Sequence, residues 1–326
     1  MSLLRSRDEA RMAKPILLVK SGGEAAIPEW QAHFSEFAPQ VAVRWWDDQT
    51  VDPADVRYVL VWDPEHGRLR KLPNLQVIFG TGAGVDFITA DPELPRHLPL
   101  MRMATPGAAQ RMGEFVCWAV LSLLKGARRI ATNQAAAKWE YFEPDFAAPE
   151  TPIGIMGLGN MGSRAAAMLQ GLGFPVHGWS RTPKALPGVQ NHVGPEGLDG
   201  FLAASRMLVC LLPATAETRG ILAAPLLAKL PDGAGLVNVG RGSHQKIEDI
   251  LAALDSGKLA GALLDVFERE PLPADHPAWA HPKLMVTPHL ASLPSRRERA
   301  QYVAKAIATF ERGEPLQHLY DHARGY

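Results

Sequence analysis

Arg241 in "NVGRG", Glu270 in "LDVFEREPLP" and His289 in "VTPHLAS" are three side chains that could together reduce a carbonyl. A guanidinium is a planar fork that matches a carboxylate and polarises the carbonyl beside it. An imidazole, whose ordinary pKa is about 6.5, can give and regain a proton near neutrality. A carboxylate bonded to its other nitrogen would fix the tautomer and favour the protonated form that reduction needs. Arg241 follows the strand ending "LVNVG", and His289 follows "LMV" and Thr287-Pro288, so both stand just beyond strand ends. The set suits a 2-keto acid, with Arg241 on the carboxylate and carbonyl, His289 protonating the new alkoxide and Glu270 as its partner. What the three cannot supply is the hydride.

"GLGNMG", Gly157 to Gly162, offers a place for a hydride donor. It follows a strand-like Ile153 to Met156 and opens a helix-like segment, the context in which GxGxxG carries weight. Gly157 allows a tight turn, Gly159 lets the backbone approach a pyrophosphate at the positive helix N-terminus, and Gly162 lets helix and strand pack closely. Asn160 and Met161, inside the loop, are cofactor candidates with them. An NAD site usually carries a carboxylate about 20 residues further on, for the ribose hydroxyls. Here that place reads Ser180, Arg181 and Thr182. A carboxylate would repel a 2′-phosphate, whereas a guanidinium forms charge-assisted bonds to it and the hydroxyls add hydrogen bonds. NADPH or NADP is therefore the preferred cofactor, with NADH the weaker one.

These residues need a scaffold, and the chain alternates strand-like and helical segments throughout. Ile16 to Lys20, Val41 to Trp45, Tyr58 to Trp62 and Leu75 to Phe79 read as parallel strands of one α/β domain. An apolar helix from Gly113 to Arg129 ends in cations, as a helix C-terminus favours, and a polar, proline-containing arm follows. A second series then begins, with strands at Ile153 to Met156, Pro175 to Trp179, Met207 to Leu211, Gly235 to Val239, Gly261 to Leu264 and Leu284 to Val286. Six strands with intervening helices match a doubly wound nucleotide-binding sheet. An amphipathic segment, Ser295 to Arg312, would return to complete the first domain. The expected division is a substrate domain, 1–103 with 293–326, and a nucleotide domain, 104–292, whose arm lies around 126–150.

Composition narrows the function classes. With 326 residues the chain exceeds the size at which single cores split. Lys plus Arg number 34 and Asp plus Glu 34, which removes the electrostatic reason to expect a nucleic acid or an anionic membrane as partner. No apolar run reaches the roughly 18 residues of a membrane span. Cys117 and Cys210 sit in apolar stretches without metal-ligand spacing and read as buried free thiols of a cytoplasmic protein, with no metal site expected. The leader "MSLLRSRDEARMAK" lacks the apolar core of a signal peptide and reads as a tail, with Met12 an alternative start.

The region from Leu236 to Ser292 resembles the signature region of the D-isomer-specific 2-hydroxyacid dehydrogenases, with "NVGRG", "LDVFEREPLP" and "TPH" in order and at family-like spacing. "GAGVD" (Gly82 to Asp86), "ATPG" (Ala104 to Gly107) and "LLPATAETRGIL" (Leu211 to Leu222) extend the likeness over nearly the whole chain. "WSRT", "VTPHLAS" and the terminal "YDHARGY" look most like the glyoxylate/hydroxypyruvate reductase A subgroup, which favours NADPH. The resemblance implies a Rossmann-type domain with a smaller flavodoxin-like substrate domain. It also implies the acid, partner and cation roles at His289, Glu270 and Arg241. Substrate contacts would come from Ala83 and Gly84 amides, with Trp46 bordering the pocket; only one of Trp45 and Trp46 can face inward on a strand. Further cofactor contacts are implied at Leu212, Pro213, Thr218, Val239, Gly240, Asp265 and His289, with a strand-end cap the competing role for Asp265. The arm, which carries Trp139, forms the dimer contact in that family, so a homodimer is expected.

Three other readings compete. "GLGNMG" with "SRT" also resembles the NADP-dependent 3-hydroxyacid dehydrogenases, but those open with their nucleotide domain and close with a long helical one, an order this chain does not follow. A reductase of a bulkier keto acid would share every feature above. A non-catalytic dinucleotide sensor would have no need of Arg241, Glu270 and His289. His276 and His281 lack the family's motif context and read as surface residues, and His177 and His192 have no evident partner.

Overall fold

The computed structural model describes residues 14–143 and 146–325, so the leader and Met12 lie outside it. The chain forms two compact units, one running to Thr105 and resumed by Pro294–Tyr326, the other spanning Pro106–Leu293.

In the first unit β1 (Ile16–Lys20), β2 (Ala42–Trp45), β3 (Val56–Val61), β4 (Val77–Gly80) and β5 (Leu100–Met101) make a parallel sheet in the order β2-β1-β3-β4-β5. The aliphatic runs of β3 and β4 are buried nearly throughout, as strands covered on both faces must be. Helix α1 (Ile27–Phe37) opens with Pro28 in its first turn and buries Ile27, Trp30 and Phe34 from one stripe. The C-terminal helix α9 (Arg296–Glu311) is capped by Ser295, whose hydroxyl accepts the Glu298 amide at 3.2 Å. Its Ala300, Val303, Ala304 and Ile307 share a core with Trp30 and Phe34, so the last helix completes the unit that the first strands began. A short α2 (Asp86–Thr89) follows the loop after β4.

β5, only two residues long, carries no readable pattern. Trp46, expected to border the substrate pocket, is part of this unit's hydrophobic core. It is 1% exposed and its indole Nε1 donates to Glu65 Oε2 at 2.8 Å, with the Arg68 guanidinium 4.2 Å from the ring centre. Burial raises the Glu65 carboxyl, but the Lys20 and Trp46 bonds outweigh it and hold the group down to about 2, so Trp46 is anchored to a carboxylate.

The second unit contains β6 (Ile153–Met156), β7 (Val176–Ser180), β8 (Val189–Val193), β9 (Met207–Cys210), β10 (Ala234–Asn238), β11 (Leu259–Leu264) and β12 (Leu284–Val286). Among the described residues they form one parallel sheet in the order β12-β11-β10-β9-β6-β7-β8. β6 lies inside the sheet, the chain moves outward to β7 and β8, then crosses back to β9 on its other side. The strand order reverses between β6 and β9, and ligands of such sheets bind where it does.

The same unit carries helices α3 (Pro106–Leu124), α4 (Ala127–Ala135), α5 (Asn160–Gly171), α6 (Leu198–Ala203), α7 (Ala224–Leu227) and α8 (Ile247–Asp255). The helix expected over 113–129 is a longer α3 that stops at Leu124. Gly126, with φ of 65°, turns the chain left-handed before α4, a conformation glycine adopts without steric cost. Part of the expected arm is therefore helical. The half-exposed edge strand β8 has no strand signal in the sequence, because "VQNHV" is too polar to read as a buried strand. No helix among the described residues is long and apolar enough to cross a membrane.

Candidate active site

Three loops at the carboxyl ends of β6, β9 and β10 meet in the second unit. Gly157, with φ of 99°, turns the chain out of β6 so tightly that a Cβ there would lie 2.8 Å from the Leu211 carbonyl. A Cβ on Gly162 would lie 1.9 Å from the Gly157 carbonyl, so α5 can begin this close to β6 only with glycine at 162. A Cβ on Gly159, by contrast, would meet nothing within 4 Å, and no side chain caps α5. Open space above Gly159 and unclaimed amides at a helix N-terminus fit the pyrophosphate of a dinucleotide. Asn160 is exposed and Met161 half-buried in that first turn.

β7 delivers Ser180, Arg181 and Thr182. Ser180 is buried and its hydroxyl donates to the Thr182 carbonyl at 2.8 Å, shaping the turn, while Arg181 and Thr182 are exposed. From β9 the chain passes through buried Leu212 to exposed Pro213. Thr218 secures this loop, its hydroxyl donating to the Pro213 carbonyl at 2.7 Å and accepting the Thr215 amide at 2.9 Å. Ser180 and Thr218 thus carry hydrogen bonds within their own loops. Arg181→Ala is expected to weaken NADPH binding by about 10- to 100-fold, the loss of charge-assisted bonds, and to change NADH binding by less than about threefold. Titration with both nucleotides checks this, and equal losses would remove Arg181 as the reader of the 2′-phosphate.

β10 ends in Asn238, and Val239 and Gly240 lead to Arg241, all but the last buried. Asn238 Oδ1 accepts the Gly240 amide at 3.1 Å and its Nδ2 donates to the Arg241 carbonyl at 3.0 Å and to Gln245 Oε1 at 2.8 Å. The half-buried Arg241 guanidinium donates to the Gly240 carbonyl at 2.8 Å. A Cβ on Gly242 would lie 1.9 Å from the Phe267 carbonyl carbon, so the Arg241 loop packs directly on the segment that carries Glu270.

Glu270 joins that segment to the loop after β12. Its Oε1 accepts the Phe267 amide at 2.9 Å and its Oε2 lies 2.7 Å from His289 Nδ1. About a quarter of each side chain stays exposed, 26% and 27%. Burial raises the Glu270 carboxyl, but the His289 and Phe267 bonds and the nearby charges of His289 and Arg241 bring it below its ordinary value of 4.5. Stability from a depressed carboxyl is fully present above the unfolded value and lost as pH falls through the folded one, so Glu270 stays ionised across the neutral range.

His289 sits at φ of 52°, the left-handed region that a histidine rarely adopts. Buried Asp265, at the end of β11, holds it there. The His289 amide donates to the Asp265 carbonyl at 2.8 Å, Thr287 Oγ1 and the Leu290 amide donate to Oδ1 at 2.6 and 3.0 Å, and the Ala291 amide to Oδ2 at 2.9 Å. Both carboxylate oxygens of Asp265 are used in capping this loop, which is the strand-end role.

In the first unit, "TGAGVD" follows β4, with the Gly82 carbonyl accepting the Met103 amide at 2.9 Å. The Trp62 ring packs on this loop so closely that a Cβ on Gly82 would lie 2.7 Å from it. Ala83 and Gly84 are half-buried at its tip.

Several partnerships had no signal in sequence. His177 and His192 lie 3.3 Å apart across β7 and β8, His276 caps a turn by accepting the Ala278 amide, and His281 pairs with Asp255 at 3.2 Å. His244, three positions after Arg241, is fully buried with both ring nitrogens bonded to the surrounding loops.

Comparison with known proteins agrees with this architecture. Residues 117–291 match the D-isomer specific 2-hydroxyacid dehydrogenase, NAD binding domain. The glyoxylate/hydroxypyruvate reductase A of Klebsiella pneumoniae is 43% identical over 307 residues, 92% of this chain and 96% of that protein. A D-isomer specific 2-hydroxyacid dehydrogenase from Xanthobacter autotrophicus, solved with NADPH and MES, superposes with a TM-score of 0.88 at 41% identity, covering 96% of this chain and all of the other. The NADPH-dependent glyoxylate/hydroxypyruvate reductase of Sinorhizobium meliloti, solved with NADP and sulfate, gives 0.87 at 37% identity, covering 96% and 100%. The family model, together with relatives that cover nearly the whole chain, shows that the chain belongs to the D-isomer specific 2-hydroxyacid dehydrogenase family.

Proposed function

We propose that the chain is an NADPH-dependent reductase of small 2-keto acids, converting glyoxylate to glycolate and hydroxypyruvate to D-glycerate. The observation that carries this reading is the 2.7 Å contact between His289 and an ionised Glu270, beside the loop of Arg241. NADPH, when bound, supplies the hydride that C2 of the keto acid accepts. Arg241 holds the substrate carboxylate and draws electron density from the adjacent carbonyl. His289 uses its Nδ1 contact with Glu270 to keep its ring in place, leaving Nε2 to give the proton to the carbonyl oxygen. Ala83 and Gly84 amides are further donors to the substrate carboxylate. Asp265, Leu212, Pro213, Val239 and Gly240 act on the cofactor side by shaping the loops around it.

The likeness to reductases named for glyoxylate and hydroxypyruvate supports the choice of small keto acids. The same reading includes a cytoplasmic homodimer. Its support is the arm, where Trp139 and Tyr141 are exposed by 101% and 79%, and the free, buried Cys117 and Cys210, which suit a reducing compartment. The test is initial rates on glyoxylate, hydroxypyruvate, pyruvate and a bulky aromatic keto acid, each with NADPH and with NADH. The two small substrates with NADPH are expected to give the highest kcat/KM. A preference for the aromatic acid would make this a reductase of bulkier substrates, and no NADPH oxidation with any of them would leave a dinucleotide sensor.

A further inference from the structure

We propose that His244 is a positioning residue that locks the Arg241 loop to the loop after β9, giving substrate cation and cofactor a common rigid reference. This rests on the reading of Arg241 and of Leu212 and Pro213 given above. His244 is 0% exposed. Its Nδ1 lies 3.0 Å from the Arg241 amide, which can only donate, and its Nε2 lies 3.1 Å from the Pro213 carbonyl, which can only accept. The two contacts fix a neutral ring with the proton on Nε2. Cys210, whose thiol burial pushes up to about 12, keeps its proton and places Sγ 3.7 Å from the same Nδ1. Gly240 passes so near the ring that a Cβ there would lie 2.9 Å from Nδ1. The Pro213 carbonyl also accepts the Thr218 hydroxyl, so one chain of bonds runs from Thr218 through Pro213 and His244 to the backbone of Arg241.

Nothing in this chain of bonds needs the His244 ring to touch a ligand. Its effect is geometric, because a misplacement of about 1 Å in a reacting group can cost on the order of 100-fold. The two ends of the ring can be removed separately. Asparagine can present an acceptor near Nδ1 and cannot reach Pro213, whereas glutamine can present a donor near Nε2 and leaves the Arg241 amide unanswered.

The experiment measures glyoxylate kcat and KM at saturating NADPH, the NADPH Kd and the melting temperature for the whole chain, for His244→Asn, His244→Gln and His244→Leu, and for Arg241→Ala. The expected result is a split. His244→Gln loses about tenfold in glyoxylate kcat/KM with NADPH Kd within about twofold, His244→Asn loses about tenfold in NADPH affinity with a smaller change in glyoxylate KM, and His244→Leu loses both. Wild-type constants in all three variants would overturn the proposal, as would equal losses of both constants in the Asn and Gln variants that follow the fall in melting temperature. If His244→Leu does not fold, the Asn and Gln pair decides. An Arg241→Ala chain with unchanged kcat/KM would instead sink the reading of the site, a result distinct from failure of the His244 split.

Discussion

His289→Ala is expected to lower kcat for glyoxylate by about 10²- to 10⁴-fold, the contribution of a positioned acid, while NADPH binding stays within about twofold. The split follows from where the groups stand. The proposed pyrophosphate site consists of Gly157, Gly159 and Gly162 and the uncapped start of α5, none of which uses the imidazole. The loop of His289 is held by the Asp265 carboxylate and carbonyl through backbone amides and Thr287, so truncating the side chain leaves its anchors in place. Alanine meets the same left-handed φ of 52° that histidine meets, which keeps the backbone cost about equal. A melting temperature near that of the unaltered chain, with kcat lost and NADPH Kd retained, is the expected set of measurements. Turnover near the unaltered value would remove His289 as the acid. Glu270→Gln should show a smaller loss of the same kind, because an amide can still accept the bond that orients the ring but no longer carries the charge opposite it.

How far the sequence discloses this site depends on what kind of information each residue carries. Arg241 and His289 stand just beyond aliphatic strands, where a polar residue has no packing reason to be, Glu270 lies in the loop after β11, and the order and spacing of the three match a family signature. The glycine loop is legible for a similar reason: the Cβ distances of 1.9 Å at Gly162 and 2.8 Å at Gly157 admit no other residue, so the constraint is written in the composition. The partners of Asp265, His244 and Thr218 are not legible. Each forms hydrogen bonds whose other end depends on which loops the fold brings together, and hydroxyl, imidazole and carboxylate groups have no periodic signal. β8 escapes because an edge strand needs no continuous apolar run, and with it goes the His177–His192 pair, which the β7–β8 register creates. Trp45 and Trp46 illustrate a limit of parity. Alternation says that one of two adjacent side chains faces the core, and only the packing around Glu65 and Arg68 decides that it is Trp46.

Arg241→Ala should lower kcat/KM for glyoxylate by about 10²- to 10³-fold, the range for removing a principal donor at a developing oxyanion, and should also deprive the substrate carboxylate of its counter-charge. Loop collapse is a poor explanation for such a loss, because the Arg241 backbone is secured by its neighbours: His244 accepts its amide, Asn238 donates to its carbonyl, and Gly242 packs on Phe267. Arg241→Lys separates charge from shape. A lysine restores the positive charge without the planar fork, so it should recover part of the binding measured by KM and little of kcat. Both variants should bind NADPH as the unaltered chain does, since Arg181 and the glycine loop are untouched. The decisive comparison is therefore between two ratios. If kcat/KM for glyoxylate falls while NADPH Kd does not, the guanidinium belongs to the keto acid; if both fall together, Arg241 serves the cofactor, and the substrate carboxylate must be held by another group.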